Sequence, residues 1–351
     1  MIVAEDLKQI IFFFFWKTQV DRLFRYLNRR KILILAYHGV TRNEYDIPLW
    51  TQLPVKAFEK QIKYLGQRYN FISLEQAVQS IKFGVDFPEK PAVITFDDGY
   101  RNNLTIALPI LKKYRLPATI FVTAGYVGSS RLMPLDEAYV ILNSSKKSVS
   151  FTIPGLGLGT LSTDTPKNLF DSYQKLVNRL KRFPVEVQVN FLGILREVLD
   201  CDHDQDDICL VNEFRLLSRD EIQGLLETGL IQIGAHTVSH EILTNVSLEK
   251  ATREVVDSKS ILQEMLGRNI DLFAYPNGTE ADYNEGHIEC LKENGFSGSV
   301  TTIPRLNKKL TNPYRLGRFC IGSDSSASLG HFALRLSGFI TSMKSLGGRY
   351  P

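Results

Sequence analysis

Cysteine and histidine are scarce in this chain. Four cysteines in 351 residues, Cys201, Cys209, Cys290 and Cys320, form no CxxC pair. They are too few and too dispersed for a disulfide framework, which makes a reduced compartment the default expectation. Long apolar runs are missing as well: the seven residues IIFFFFW at 10–16 fall far short of the roughly 20 that a spanning helix requires. A secretory leader would place positive charge before the apolar stretch and small residues after it. Here Glu5 and Asp6 come before, and Lys17, Asp21 and Arg22 follow. The expectation is a cytoplasmic protein. Strong net charge is absent too, with 42 Lys and Arg against 38 Asp and Glu. The surplus lies entirely in residues 1–31, where seven basic residues meet three acidic ones. A body that balances to zero argues against nucleic-acid binding. PGLGLGT (154–160) lacks the GK[ST] ending of a phosphate-binding loop and reads as a turn between two weak strands.

What is present is an ordinary globular composition, 44% apolar and 23% charged, enough to bury a full core. Residues 1–31 read as a basic amphipathic helix: Trp16, Val20, Leu23, Phe24 and Leu27 fall at helical spacing, with Lys17, Arg22, Arg25 and Arg29 off that stripe. Such a helix either packs on the main domain or lies on an anionic membrane surface through residues 5–30. From residue 32 the pattern changes. ILILAYHGV, AVITF (92–96), ATIFVTA (118–124), LIQIGA (230–235), IDLFAY (270–275), FSGSVTT (296–302) and RLGRFCIG (315–322) read as strands, with helical patterns between several of them. This alternation over residues 32–325 predicts an α/β fold with a parallel sheet closing into a (β/α) barrel. Residues 129–210 interrupt it and read as an insertion on a barrel loop; residues 326–351 form a C-terminal helix or tail. Within the insertion, CDHDQDDIC (201–209) offers Cys201, His203 and Cys209, but an acidic loop is the simpler reading.

The chemistry concentrates at a few strand ends. Asp97 and Asp98 stand side by side after AVITF, where like charges raise each other's pKa unless a cation or an acid/base task accommodates them. By itself TFDDGY also fits a strand ending in an Asp-Gly turn. GAHTVSH places His236 and His240 four residues apart, and a helix there would set both imidazoles on one face. YPNG (275–278) and the YHG containing His38 end two further strands. The active site of a (β/α) barrel forms at the C-terminal strand ends, so these residues would share one face. Two histidines and one carboxylate make a three-ligand site with an open position, the arrangement of catalytic zinc. One aspartate would then bind the metal and its neighbour would take a proton from water.

TFDDGY, HTVSH and FAYPNG, following a strand that ends in YHGV, resemble the polysaccharide deacetylases of the NodB-homology type, carbohydrate esterase family 4. The resemblance covers about residues 32–325, broken by the insertion. It implies a distorted (β/α)7 barrel and metal-dependent hydrolysis of N-acetyl groups on an amino-sugar polysaccharide or its precursor. By the same resemblance, Asp97 is the general base, and Asp98, His236 and His240 hold one divalent metal, zinc by preference. Thr237 supports the histidine loop. Tyr275, Pro276, Asn277 and Arg318 are the candidate substrate-binding residues, with Arg318 alternatively supplying charge support to Asp97 in place of the arginine that many members carry in an earlier motif. The leucine-x-histidine motif that usually supplies the general acid is absent. His331 in LGHFALRL reads as part of an amphipathic helix, so His38 is the candidate acid, and His287 reads as a packing residue. Alternatives are an O-deacetylase or deformylase acting on xylan or a lipid-linked sugar, and a catalytically silent barrel that binds glycan.

Overall fold

A computed structural model describes residues 17–345, apart from 46, 48, 146–148, 203–206 and 325–327. IIFFFFW with Trp16, His203 and residues 346–351 lie outside the described residues. The continuous apolar runs become buried parallel strands, because a strand covered on both faces has no polar side to alternate. In chain order the strands are β1 (Leu33–Tyr37), β2 (Gly39–Thr41), β3 (Gln52–Pro54), β4 (Asn70–Phe71), β5 (Pro91–Phe96), β6 (Ala118–Val122), β7 (Ser150–Phe151), β8 (Leu161–Ser162), β9 (Ile231–Ala235), β10 (Leu272–Ala274), β11 (Gly298–Val300) and β12 (Phe319–Cys320). The main sheet runs β11-β10-β9-β6-β5-β1-β12, all parallel, with β4 added beside β5. A bridge from Val300 to Leu316 brings the two ends of this path together. The result is a distorted (β/α)7 barrel.

Local signals explain where the helices begin. Ser73 and Gln76 form a capping box before the helix Leu74–Phe83, and Ser218 and Glu221 do the same before Arg219–Glu227, each satisfying amide groups that a helix start leaves open. Around the barrel pack α1 (Val20–Leu27), α2 (Val55–Gly66), α3 (Leu74–Phe83), α4 (Leu108–Tyr114), α5 (Pro134–Ser144), α6 (Pro166–Leu180), α7 (Val185–Leu199), α8 (Ile208–Glu213), α9 (Arg219–Glu227), α10 (Leu248–Leu266), α11 (Glu285–Glu293), α12 (Leu329–Leu336) and α13 (Phe339–Ser345).

Three main clusters form the core among the described residues. One lies between the sheet and the helices around it, with Leu35, Ile94, Ile120 and Phe273. A second, from the alternating strand residues Ile34, Val93, Phe121, Leu272 and Val300, fills the barrel interior. The third belongs largely to the insertion, where α5, α6, α7 and the antiparallel β7–β8 pair gather around Tyr139, Leu156, Leu176, Leu192 and Leu195. PGLGLGT is the turn between β7 and β8. All four cysteines are free thiols. The N-terminal stripe is split: Val20 and Phe24 pack against Leu334 and Phe339, whereas Leu23 and Leu27 are exposed. The helix is anchored by Asp21, which receives hydrogen bonds from Arg25 and from the hydroxyl of Tyr64.

Candidate metal centre and substrate cavity

The site is built at the C-terminal ends of the strands. β5 ends at Phe96, so Asp97 and Asp98 emerge at the barrel mouth; β9 ends at Ala235 and delivers His236; β1 ends at Tyr37 and delivers His38. HTVSH does not turn into a helix as its spacing suggested. It is a loop in which Thr237 and His240 adopt left-handed backbone, φ 63° and 64°. Glu254 of α10 fastens the loop, accepting from the amides of Val238 and Ser239 at 2.9 Å each and from the Ser239 hydroxyl at 2.8 Å. Asp98 (φ 73°) and Asn277 (φ 59°) are left-handed too. Non-glycine residues seldom adopt this conformation, and such strain collects at functional sites.

The two aspartates have unlike surroundings. The guanidinium of Arg318 donates to both oxygens of Asp97, at 2.6 and 2.7 Å, and also to Thr95 Oγ1 and the carbonyl of Thr301. Burial by itself would push the Asp97 carboxyl up, but the Arg318 charge and hydrogen bonds, together with the nearby His236 and His38, outweigh it and hold the group below the usual carboxylate value. Arg318 is fully buried and does not line the cavity. Its assignment to substrate binding is thereby corrected, and its contact is the charge support to Asp97 given as the alternative. Asp98 faces the histidines, its Oδ1 lying 3.5 Å from His236 Nε2 and 3.3 Å from His240 Nε2. Burial raises this carboxyl as well, and the adjoining His236 and His240 imidazoles reverse the effect and leave it well below the ordinary value.

These three side chains can bring their ligand atoms within 4.8 Å of one another. His236 Nδ1 lies 2.7 Å from the carbonyl of Ala274. A carbonyl only accepts, so Nδ1 carries the proton and Nε2 turns its lone pair toward Asp98. Asp98 Oδ1 is buried without a hydrogen-bond donor among the described residues. One carboxylate oxygen and two imidazole nitrogens aimed at a common point fit a divalent metal.

A cavity of about 340 Å³ opens over the centre. His38 is on its wall with a buried Nδ1 that has no hydrogen-bond partner among the described residues, its ring edge-on to Trp50 at 5.3 Å. Burial lowers its pKa, partly opposed by the charges of Asp98 and Asp97. Asn103 donates to the carbonyl of His38 at 2.7 Å and fixes the strand end. Trp50 lies over Gly322, where any Cβ would collide with the indole.

Asn277 reaches the cavity, but its neighbours do not. The Tyr275 ring turns inward, stacks on Tyr283 at 4.3 Å and donates its hydroxyl to the carbonyl of Tyr314. Pro276 is buried and absent from the lining. The expectation for these two residues is corrected: the alternation of side chains after β10 sends Tyr275 to the core. His331 sits in α12 and His287 caps α11, its Nδ1 accepting from the Asn284 amide; neither lines the cavity.

Sequence reasoning missed the residues that the insertion contributes. Asp136, Lys181, Val185 and Gln188 form one wall of the cavity. Lys181 Nζ donates to Asn277 Oδ1 at 3.3 Å, and burial lowers its pKa. Asp136 accepts from the Tyr100 hydroxyl at 2.8 Å; burial, reinforced by the Asp98 charge, pushes its carboxyl well up. No motif announces these positions, since packing of the insertion on the barrel brings them there.

A parallel barrel that gathers one carboxylate and two imidazoles at its strand ends, beside a second carboxylate held by arginine, defines a class of barrel proteins with a candidate mononuclear metal centre. Comparison with known proteins makes the class specific: the polysaccharide deacetylase family model matches residues 84–298, and the chain belongs to that family. YxkH of Bacillus subtilis, named for the same family, is 22% identical over 299 residues, covering 85% of this chain and 74% of its own length. A poly-beta-1,6-N-acetyl-D-glucosamine N-deacetylase of Staphylococcus aureus is 40% identical over 80 residues, 22% of this chain and 27% of that protein. Among solved structures, IcaB from Ammonifex degensii superposes with a TM-score of 0.57 at 20% identity, covering 87% of this chain and 97% of that one. The deacetylase PplD of Streptococcus pyogenes gives 0.55 at 19% identity, covering 85% and 95%. Both likenesses bear on the fold.

Proposed function

We propose that this polysaccharide deacetylase is a metal-dependent hydrolase that removes N-acetyl groups from an amino-sugar polysaccharide or its precursor. The observation that carries the reading is the division between the paired aspartates: Asp98 faces two imidazole nitrogens and Asp97 is gripped by Arg318. A divalent metal, zinc by the nitrogen and oxygen donor set, would polarise the acetyl carbonyl and make water more acidic.

Each residue then has a task. Asp98, His236 and His240 hold the metal. Asp97, kept ionised by Arg318, accepts the proton of the attacking water, and Arg318 keeps its carboxylate in one orientation. His38 gives a proton to the departing amine from across the cavity. Trp50 offers an aromatic face to a pyranose ring, with Asn277 and Lys181 placed to bond its hydroxyls. The S. aureus relative supports an N-acetylglucosamine polymer as the first substrate to try.

The test is metal analysis of the purified full chain coupled to acetate release from N-acetylglucosamine oligomers, with O-acetylated xylan in parallel. Asp98→Ala should lose metal and turnover together, and Asp97→Asn should keep metal and lose turnover by roughly 10²- to 10⁴-fold. Acetate release by metal-free Asp98→Ala would overturn the assignment. Metal and glycan binding without acetate release from any substrate would favour a silent barrel.

A further inference from the structure

The end of the barrel opposite the cavity carries a surface that the deacetylase reading does not use. Of the large apolar residues left exposed, Leu23 (56%), Tyr26, Leu27 (60%), Phe83 (73%), Val85 and Leu310 (98%) belong to elements at that end. Leu23, Tyr26 and Leu27 lie on α1, which leads into the start of β1. Phe83 and Val85 follow from α3 into the loop before β5, and Leu310 is in the loop before β12. These elements touch. The amide of Lys90 donates to the carbonyl of Arg29, Arg29 Nε reaches Glu89 at 3.2 Å, and Lys309 reaches Asp86 at 2.9 Å. Arg30 shares a surface cavity with Asp86, Phe87 and Leu310.

The same face is cationic. Arg22, Arg30 and Lys308 are exposed, with no carboxylate at ion-pair distance among the described residues. Lys17, Arg22, Arg25 and Arg68 surround a second surface cavity at the start of α1, whose one acid, Asp21, is paired with Arg25. The chain's whole charge surplus lies in residues 1–31. Scattered exposed leucines need no explanation, but apolar residues from three separate elements on one cationic face do. Among the described residues no helix is long and apolar enough to cross a membrane.

We propose that this face is a docking surface for an anionic lipid bilayer, with Leu23, Leu27, Phe83 and Leu310 entering the interface and Arg22, Arg30 and Lys308 meeting lipid phosphates. Apolar burial and cationic attraction act together in such peripheral contacts. Charge complementarity selects the bilayer over a second copy of this chain, whose identical face would oppose cation with cation. The β-strands run from this face to the metal centre, so a docked molecule holds its cavity mouth turned away from the lipid. Polymer leaving the membrane could then reach the mouth without passing under the barrel.

The experiment is co-sedimentation of the full chain with phosphatidylglycerol–phosphatidylcholine vesicles and with phosphatidylcholine vesicles alone, at low and high salt. The chain should bind the anionic vesicles, release as salt rises, and leave the neutral ones largely unbound. The double variant Leu23→Glu/Leu27→Glu should lose binding. Arg30→Glu/Lys308→Glu should weaken it by about fivefold or more per residue. Circular dichroism and metal content should match the parent in both variants, since neither touches the cavity. No vesicle binding, equal binding to neutral vesicles, or binding unchanged in both variants would overturn the proposal. So would a parent dimer that these variants dissociate without any lipid effect. Acetate release is not needed as a readout, so failure here leaves the catalytic reading intact, and the reverse also holds.

Discussion

Arg318 and Asp97 are joined by two parallel hydrogen bonds, with the arginine fully buried and the aspartate nearly so at the edge of the cavity. Removing one partner of such a pair leaves an uncompensated buried charge, at a cost of roughly 3–5 kcal/mol. Arg318→Met is therefore expected to lower unfolding stability by that order in urea titrations, with Arg318→Lys intermediate because it keeps the charge and loses the fork. The sign with pH follows from the depressed carboxyl. Pairing contributes stability above the carboxyl's unfolded value and is lost as pH falls through the lower folded one. Parent and variant should thus converge in acid, and the acid limb of the variant's activity profile should move to higher pH.

His38 provides a prediction of opposite sign. A group that must be protonated to act supports activity that falls as pH rises through its pKa, and burial places this imidazole below the ordinary histidine value. The alkaline limb of kcat is expected to belong to His38. His38→Gln should lower kcat by roughly 10²- to 10⁴-fold and flatten that limb, with metal content unchanged. An unaltered pH profile would move the proton-donor role to another residue.

Glu254 touches no ligand atom but holds the loop that carries His240. Supporting residues of this kind are worth about 10- to 100-fold in metal affinity. Glu254→Ala should weaken metal binding by that factor in chelator competition, and Glu254→Gln should recover part of it. If metal affinity stays at the parent level, the loop keeps its shape by other means.

Lys181 should show a trade between stability and binding. Burial lowers its pKa, so folding disfavours the charged form, and below the folded pKa the charge detracts from stability. Lys181→Met is expected to unfold at the same or higher urea concentration than the parent. Its KM should rise by roughly tenfold or more, the worth of a hydrogen bond to a charged group, with kcat less affected.

Much of this architecture was legible because buried parallel strands write themselves as unbroken apolar runs, as in Leu33–Tyr37 and Pro91–Phe96. Polar residues directly after those runs then fall at the barrel mouth by topology alone, which is why Asp97, Asp98, His236 and His38 were found. Spacing was less informative about conformation. His236 and His240 converge through a loop with left-handed residues, a geometry that four-residue spacing cannot distinguish from a helix turn. The direction of Tyr275 was lost because it depends on the pleat of a three-residue strand. Asp136, Lys181 and Gln188 carried no signal, since they meet the cavity only through packing between segments far apart in sequence.

The cavity has one wall from the barrel's strand ends and another from the insertion, which packs around a core of its own. A sugar chain lying there would act as mortar between them, touching Asn277 on one side and Lys181 or Gln188 on the other. Occupancy should therefore make the two halves melt as one. It also leaves the insertion free to diverge: a lineage could remodel residues 129–210 and change which glycan is gripped, while the strand ends that cut the bond stay as they are.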